Sequence, residues 1–375
     1  MLDFTSALYL GLQHPSRALR PWSQLTLGKP AALAAPASQG RVAEALAELQ
    51  GCERATLGPS TLHLFWDLFG MLANRGAIYM DAGVYPIARW GVERAAARGV
   101  PVRQFSHYDP QALEQRLKQD ASGRLRPVVI ADGFCPGCGK PAPIAAYLES
   151  ARALGGCLVL DDTQALGLFG HSPGPDAPYG RGGGGSLCWG KIAGPEVLVV
   201  SSLAKGLGVP VAVLAGAKTT VDWFERRSKT RMHCSPPSIV AIHAAEHALA
   251  VNRKCGDALR LRLAQLVSRF RKRLARQGLS TIGGLFPVQT LAPLPNLDAG
   301  LLHQRLYQLG IRTVLHRARN GHGPRISFLI TALHGPDDID RAADALAYAT
   351  RNAKAEVKIW GADHEIRTRS RGRAL

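Results

Sequence analysis

The apolar positions of this chain come in two spacings. Short, solid apolar runs read as strands: Ala77-Ile-Tyr-Met80, Val102-Arg-Gln-Phe105, Pro127-Val-Val-Ile-Ala131, Leu158-Val-Leu160 and Val197-Leu-Val-Val200. Between them the spacing relaxes to that of helices. The helical stretches are Val42 to Leu49, Ser60 through Leu72, Val84 to Arg98, Pro110 to Lys118 with Asp109 as N-cap, and Ile144 to Leu154. Strands alternating with helices predict βαβ units, and therefore an α/β fold around a mainly parallel sheet. Ser235-Pro-Pro237 closes this region. A helix pair is expected next, Ile239 to Ala250 and Gly256 to Gln277. Beyond it lie an apolar stretch at Leu291, a helix from Leu297 to Leu309, strands Thr313 to Leu315 and Arg325 to Ile330, and a helix from Pro336 to Tyr348, which together read as a smaller α+β domain. The expected organisation is an N-terminal arm over 1–45, a large domain over 46–255, a small domain over 256–352 and a charged, disordered tail over 353–375.

Three strand runs end abruptly in chemistry-bearing residues. Asp132 follows the third run, Asp161 and Asp162 follow the fourth, and Lys205 follows the fifth in Ser202-Leu-Ala-Lys-Gly206. Open α/β sheets bind ligands beyond the carboxyl ends of their strands. An acid that can keep a pyridine nitrogen protonated, followed by a lysine that can form a Schiff base, is what pyridoxal phosphate chemistry requires. Small residues around the lysine leave room for an aromatic cofactor.

Composition narrows the field without deciding it. The chain has 375 residues, enough for two or three domains, and at 46% hydrophobic and 20% charged it is globular in character. No apolar run approaches the length of a membrane span, and the N-terminus lacks the pattern of a secretory signal. Seven irregularly spaced cysteines suit reduced thiols in a cytoplasmic enzyme better than a disulfide framework. The net charge of +18 fits two readings. It suits a polyanionic partner such as coenzyme A or an acidic carrier protein, or it is the drift of an Arg- and Ala-rich chain. The basic residues are not interleaved with aromatics, so nucleic-acid binding is poorly supported.

With Asp161 and Lys205 in place, the sequence resembles the α-oxoamine synthase family of fold-type I pyridoxal phosphate enzymes over roughly residues 3–350. Six landmarks stand in the family's order. They are Asp3-Phe-Thr-Ser-Ala-Leu-Tyr-Leu-Gly-Leu12, Asp132-Gly133 with Ala142-Pro143, Asp161-Asp-Thr-Gln164, Ser202-Leu-Ala-Lys205, Cys234-Ser-Pro-Pro237 and Thr331-Ala-Leu-His334. The resemblance implies a large domain built on a mainly parallel, seven-stranded type of sheet and a smaller α+β domain. It implies Lys205 as the Schiff-base lysine and α-proton base, and Asp161 as the partner of the pyridine nitrogen, with Asp162 the other candidate for that contact. Ser202, Ser60 and Thr61 would bind the phosphate, the latter two at a helix N-terminus. Ser235 would reach the phosphate of a neighbouring subunit in a homodimer with shared active sites, and Asp132 would line the cofactor.

Departures from the pattern matter as much. The ring-stacking histidine is Tyr85 here, which can still stack. The histidine that contacts the ring hydroxyl is Gln164, which can still donate a hydrogen bond but does not titrate. One of two arginines in the family's last landmark strand is Ser327, leaving Arg325 as the candidate for the substrate carboxylate. The implied reaction condenses an amino acid with an acyl thioester, on coenzyme A or a carrier protein, with decarboxylation to an α-amino ketone. Transamination without acyl transfer stays open, because Gln164 replaces a residue associated with the acyl-transfer step. Two other motifs have less support. His243-Ala-Ala-Glu-His247 has an inverted zincin spacing but arises readily in Ala/His-rich helices, so no metal is expected. Cys135-Pro-Gly-Cys138 has redox or zinc-knuckle spacing but lacks a second pair. Gly180-Arg-Gly-Gly-Gly-Gly-Ser186 lacks the setting of a phosphate loop and reads as a flexible excursion.

Overall fold

The computed structural model describes residues 1–74, 76–120, 125–294, 297–317 and 323–351. The expected disordered tail, 353–375, lies outside them. The chain divides into two compact units: Leu8–Cys135 with Lys140–Leu261, and Met1–Ala7 with Pro136–Gly139 and the chain from Arg262 onward.

The larger unit is built on a seven-stranded sheet. In spatial order its strands are Arg54–Gly58, Ala212–Gly216, Val197–Ser202, Cys157–Asp161, Arg126–Asp132, Gly76–Asp81 and Val102–Phe105. Ala212–Gly216 runs antiparallel to both its neighbours, and the other neighbouring pairs are parallel. The three central strands are buried along nearly their whole length, because helices and loops cover both faces. One face packs through Leu68, Phe69, Ile130 and Val200, the other through Val129, Tyr147, Leu158 and Val199. Arg54–Gly58 and Ala212–Gly216 escape the sequence pattern. Their runs, Arg-Ala-Thr-Leu-Gly and Ala-Val-Leu-Ala-Gly, are short and rich in small residues.

The expected helix pair is a single helix, Ile239–Arg276, of 38 residues. Gly256 does not break it, because the side chains of Asn252 and Arg260 occupy the space where a Cβ would point. Arg260 is 2% exposed and donates to the carbonyl of Gly167 at 2.7 Å and to Asn252 Oδ1 at 2.9 Å. The helix therefore carries the chain past the expected division after residue 255, and the units part at Leu261 and Arg262.

The smaller unit holds a four-stranded antiparallel sheet, Thr281–Ile282, Val288–Leu291, Pro324–Leu329 and Val314–Arg317 in spatial order. Helices Ala299–Gln308 and 336–351 accompany it. The first residues do not form a free arm. Leu2–Asp3 pairs in parallel with Ile311–Arg312, and the Phe4 ring stacks on His334 at 4.4 Å. Met1–Ala7 thus belongs to the smaller unit, whereas helix Gln39–Gln50, which straddles the end of the expected arm at 45, packs in the larger one. The glycine run is not a free excursion either. Gly182 donates to Asp257 at 2.9 Å, and a Cβ on Gly184 would lie 2.0 Å from the Leu49 carbonyl oxygen. A Cβ on Gly180 would likewise meet backbone, one on Gly183 or Gly185 would meet the Arg260 or Asp162 side chain, and Gly182 has open space but a φ of +83°.

Candidate active site

Sheet register gathers the predicted residues at one edge. Asp132 is the last residue of its strand and stands level with Asp161, the last residue of the adjacent strand. Asp161 is level with Val200, two residues before Ser202 ends the next strand. Ala212 is level with both Ser202 and Gly58, so Gly58 lies about 10 Å across the sheet from Ser202, two strand spacings away. Ser60 follows Gly58 as N-cap of the helix Thr61–Leu72, whose free amides open at the same edge. No side chain caps that terminus. The Ser60 hydroxyl instead pairs with His63 Nδ1 at 2.9 Å.

Lys205 lies in the turn following Val197–Ser202. Two glycines let this turn approach the one after Asp161. Gly167 has a φ of +83°, and a Cβ on Gly206 would lie 2.3 Å from the Leu166 carbonyl oxygen. The Ser202 amide also donates to Thr163 Oγ1 at 3.0 Å, tying the two turns together. The Lys205 ammonium sits over the Tyr85 ring, 5.9 Å from its centroid. Tyr85 is held by its amide, which donates to Asp132 Oδ1 at 3.0 Å, and its ring is 48% exposed. It therefore offers a flat face to an incoming aromatic group.

The electrostatics follow from burial. Desolvation pulls the Lys205 amine below its ordinary range, against the opposing charges of Asp161 and Asp132. More of it is neutral, and nucleophilic, near neutral pH. Desolvation lifts the Asp161 carboxyl above its usual range, although Thr163 and Lys205 pull it the other way. Thr163 donates its amide to Asp161 Oδ1 at 3.1 Å. Asp162 faces elsewhere. It is wholly buried, accepts from the Ser186 amide at 2.8 Å, and burial pushes it up to about 7. Asp162 thus anchors the Gly185–Ser186 turn, and Asp161 is the acid at the lysine. Gln164 follows in the same turn, and its Oε1 accepts from the Tyr9 hydroxyl at 2.6 Å.

A half-buried amine, a buried acid that lacks a full cationic partner, a flat aromatic face and an open helix N-terminus fit pyridoxal phosphate, which has an aldehyde, a basic ring nitrogen, a π-face and a phosphate. The aminotransferase class I and II family model matches residues 15–346. The chain belongs to this family. As a class I and II family member it is a pyridoxal phosphate-dependent transferase with the fold-type I architecture. Among curated proteins it is 29% identical to an 8-amino-7-oxononanoate synthase of Sodalis glossinidius (strain morsitans) over 360 residues, which cover 93% of this chain and 88% of that one. It is 30% identical to one of Halorhodospira halophila over 257 residues, 67% of this chain and 60% of that one. Among solved structures, a Sphingomonas wittichii serine palmitoyltransferase superposes with a TM-score of 0.75 at 16% identity, covering 94% and 88% of the two chains. An 8-amino-7-oxononanoate synthase from Francisella tularensis superposes at 0.71 with 14% identity, over 94% and 98%.

Two further predicted residues of this family member lie outside the strand ends that hold Asp132, Asp161 and Ser202. Ser235 is exposed in the segment after Lys229–His233. Arg325 lies in the smaller unit, half-buried on its strand and level with His316. Ser327, beside it in sequence, is buried between Thr290 at 2.7 Å and His316 at 2.8 Å. The zincin-like residues are engaged otherwise: Glu246 pairs with Arg20 and Arg41, His243 bonds the Arg20 carbonyl, and His247 bonds His14. Cys135 is buried beside His107, which the adjacent Asp81 carboxylate holds up to about 9. Sequence reasoning passed over Tyr9 and Thr163 as individuals. Both sit inside quoted landmarks, but only the fold shows what they touch. No helix among the described residues is long and apolar enough to cross a membrane.

Proposed function

We propose that this chain condenses an amino acid with an acyl thioester, on coenzyme A or a carrier protein, and releases carbon dioxide to give an α-amino ketone. The observation that carries the proposal is the Lys205 amine, half-buried in the field of Asp161 and Asp132 and set over the Tyr85 ring, in a chain similar along 93% of its length to a named 8-amino-7-oxononanoate synthase.

Bound pyridoxal phosphate supplies an electron sink for the amino acid's α-carbon. Lys205 would hold the cofactor through its Nζ, and the same nitrogen would take and return the amino acid's α-proton. Taking the proton needs the neutral amine, which desolvation favours, and the ammonium so formed is the group that returns it. Asp161 keeps a proton on the ring nitrogen through a charge-assisted hydrogen bond. Tyr85 covers one ring face. Ser202, Thr61 and Ser60 bind the phosphate at the helix N-terminus. Gln164 donates to the cofactor's ring oxygen, and Asp132 fixes Tyr85 through its amide. Arg325 is the candidate cation for the amino-acid carboxylate. The enzyme works in the cytoplasm as a homodimer, with Ser235 serving the neighbour's phosphate.

The test is a coupled assay of free thiol and carbon dioxide with single amino acids and acyl-coenzyme A thioesters. Stoichiometric release of both, dependent on the amino acid, supports the condensation. Amino-group transfer to a keto acid with no thiol released refutes it.

A further inference from the structure

Tyr9 has no part in the function described so far, yet its hydroxyl makes a short contact at the site. It is 1% exposed, and burial pushes its phenol far above the usual range, so it stays protonated at any working pH. Its hydroxyl donates to Gln164 Oε1 at 2.6 Å. Among the described residues the Gln164 amide nitrogen donates to no protein group. The amide oxygen is therefore engaged by Tyr9, and the nitrogen presents two N–H donors. The segment bearing Tyr9 is anchored to the lysine turn as well. His14 Nε2 donates to the Leu207 carbonyl at 2.8 Å, two residues past Lys205, and Gly208 approaches the Leu12 carbonyl oxygen so closely that a Cβ would lie 2.5 Å from it. Tyr9, Gln164 and Lys205 are thus linked through one run of backbone and one turn.

We propose that Tyr9 is a positioning residue. It fixes the Gln164 amide so that its nitrogen faces the cofactor's ring oxygen, giving a hydrogen-bond donor that does not titrate. The partner must be an acceptor, because the amide nitrogen carries only donors. The inference rests on the proposed role of Gln164. A histidine in this place would change from donor–acceptor to double donor as pH falls through about 6.5. The Tyr9–Gln164 pair keeps one polarity at every pH.

The experiment measures the cofactor dissociation constant by equilibrium dialysis and the pH midpoint of the lysine-bound chromophore, in wild type and five variants. Tyr9→Phe should weaken cofactor binding roughly 3- to 10-fold, as for a lost hydrogen bond. Tyr9→Phe added to Gln164→Met should change affinity less than about 2-fold, since its partner is already gone. Gln164→Glu keeps the acceptor for Tyr9 but loses the donor, so it should bind the cofactor more weakly than Gln164→Met. Gln164→His should add a transition near about pH 6.5 that wild type lacks. An equal effect of Tyr9→Phe in both backgrounds would mean that Tyr9 only packs, and would overturn the proposal. So would Gln164→Glu binding as tightly as wild type, a comparison that survives if Tyr9→Phe does not fold. If wild type has no chromophore dependent on Lys205, the functional reading itself has failed. A chromophore indifferent to all these changes refutes only the role of Tyr9.

Discussion

Asp162→Asn should stabilise the protein in alkaline solution and do much less in acid. Asp162 is 1% exposed, and its Oδ1 has no hydrogen-bond partner among the described residues. The Ser186 amide donates to its other oxygen, and the Asp161 carboxylate beside it raises the carboxyl further. The folded group titrates at about 7 against 3.8 in the open chain. Below 3.8 both states carry the proton and the group is neutral toward stability. Between those values the folded state holds a proton that the unfolded state has released, so stability falls as pH rises. Above 7 the full loss remains. A shift of about three units at ~1.36 kcal/mol each is on the order of 4 kcal/mol. Asparagine removes the titration and keeps an oxygen for the Ser186 amide. Urea unfolding of both proteins at pH 4 and pH 8.5 gives two stability differences, and subtracting them cancels any effect of shape. The expected difference is on the order of 4 kcal/mol in favour of the variant at high pH. A stability difference independent of pH would refute the reasoning.

His107 shows the opposite sign. Its folded value of about 9 lies above the ordinary 6.5, because Asp81 accepts from its Nδ1 at 2.6 Å and Cys135 adds a second contact. Its stabilisation is full below pH 6.5 and lost as pH rises through 9. After discounting for its partial exposure this is about 1–2 kcal/mol, and His107→Gln should flatten that limb of a stability–pH curve. Arg260→Met should lower the urea midpoint by the equivalent of about 2–4 kcal/mol, because it strands the Gly167 carbonyl and Asn252 Oδ1 in the interior. Arg325→Ala should raise KM for the amino acid about 10- to 100-fold, as loss of a charge-assisted hydrogen bond predicts. Unchanged steady-state kinetics would remove Arg325 from the site.

The parts of the fold legible in the sequence were those with a continuous apolar signal. Pro127-Val-Val-Ile-Ala131 and Val197-Leu-Val-Val200 are buried on both faces and could be little else. Ala212–Gly216 was lost because its alanines and glycine carry no such signal, though it joins two strands of the sheet. The division between Ala250 and Gly256 was misjudged for a related reason. Glycine reads as a breaker, whereas here the long side chains of Asn252 and Arg260 claim its missing Cβ. At the site, Asp161 and Lys205 could be singled out because strand ends and chemistry coincide. The sequence already favours Asp161 over Asp162, whereas the Ser186 amide that engages Asp162 is legible only in the fold. Tyr9 could not be singled out at all, since it lies 155 residues from Gln164 and only the fold brings the two together.

The central claim is that Lys205, half-buried beside Asp161, carries the cofactor. It is tested most directly by the visible absorbance of the purified protein with pyridoxal phosphate, before and after borohydride, followed by peptide mapping. The account predicts a visible band in wild type, its absence in Lys205→Ala, and a reduced cofactor adduct on the peptide containing Lys205. A band that persists in Lys205→Ala, or an adduct on another lysine, would contradict it.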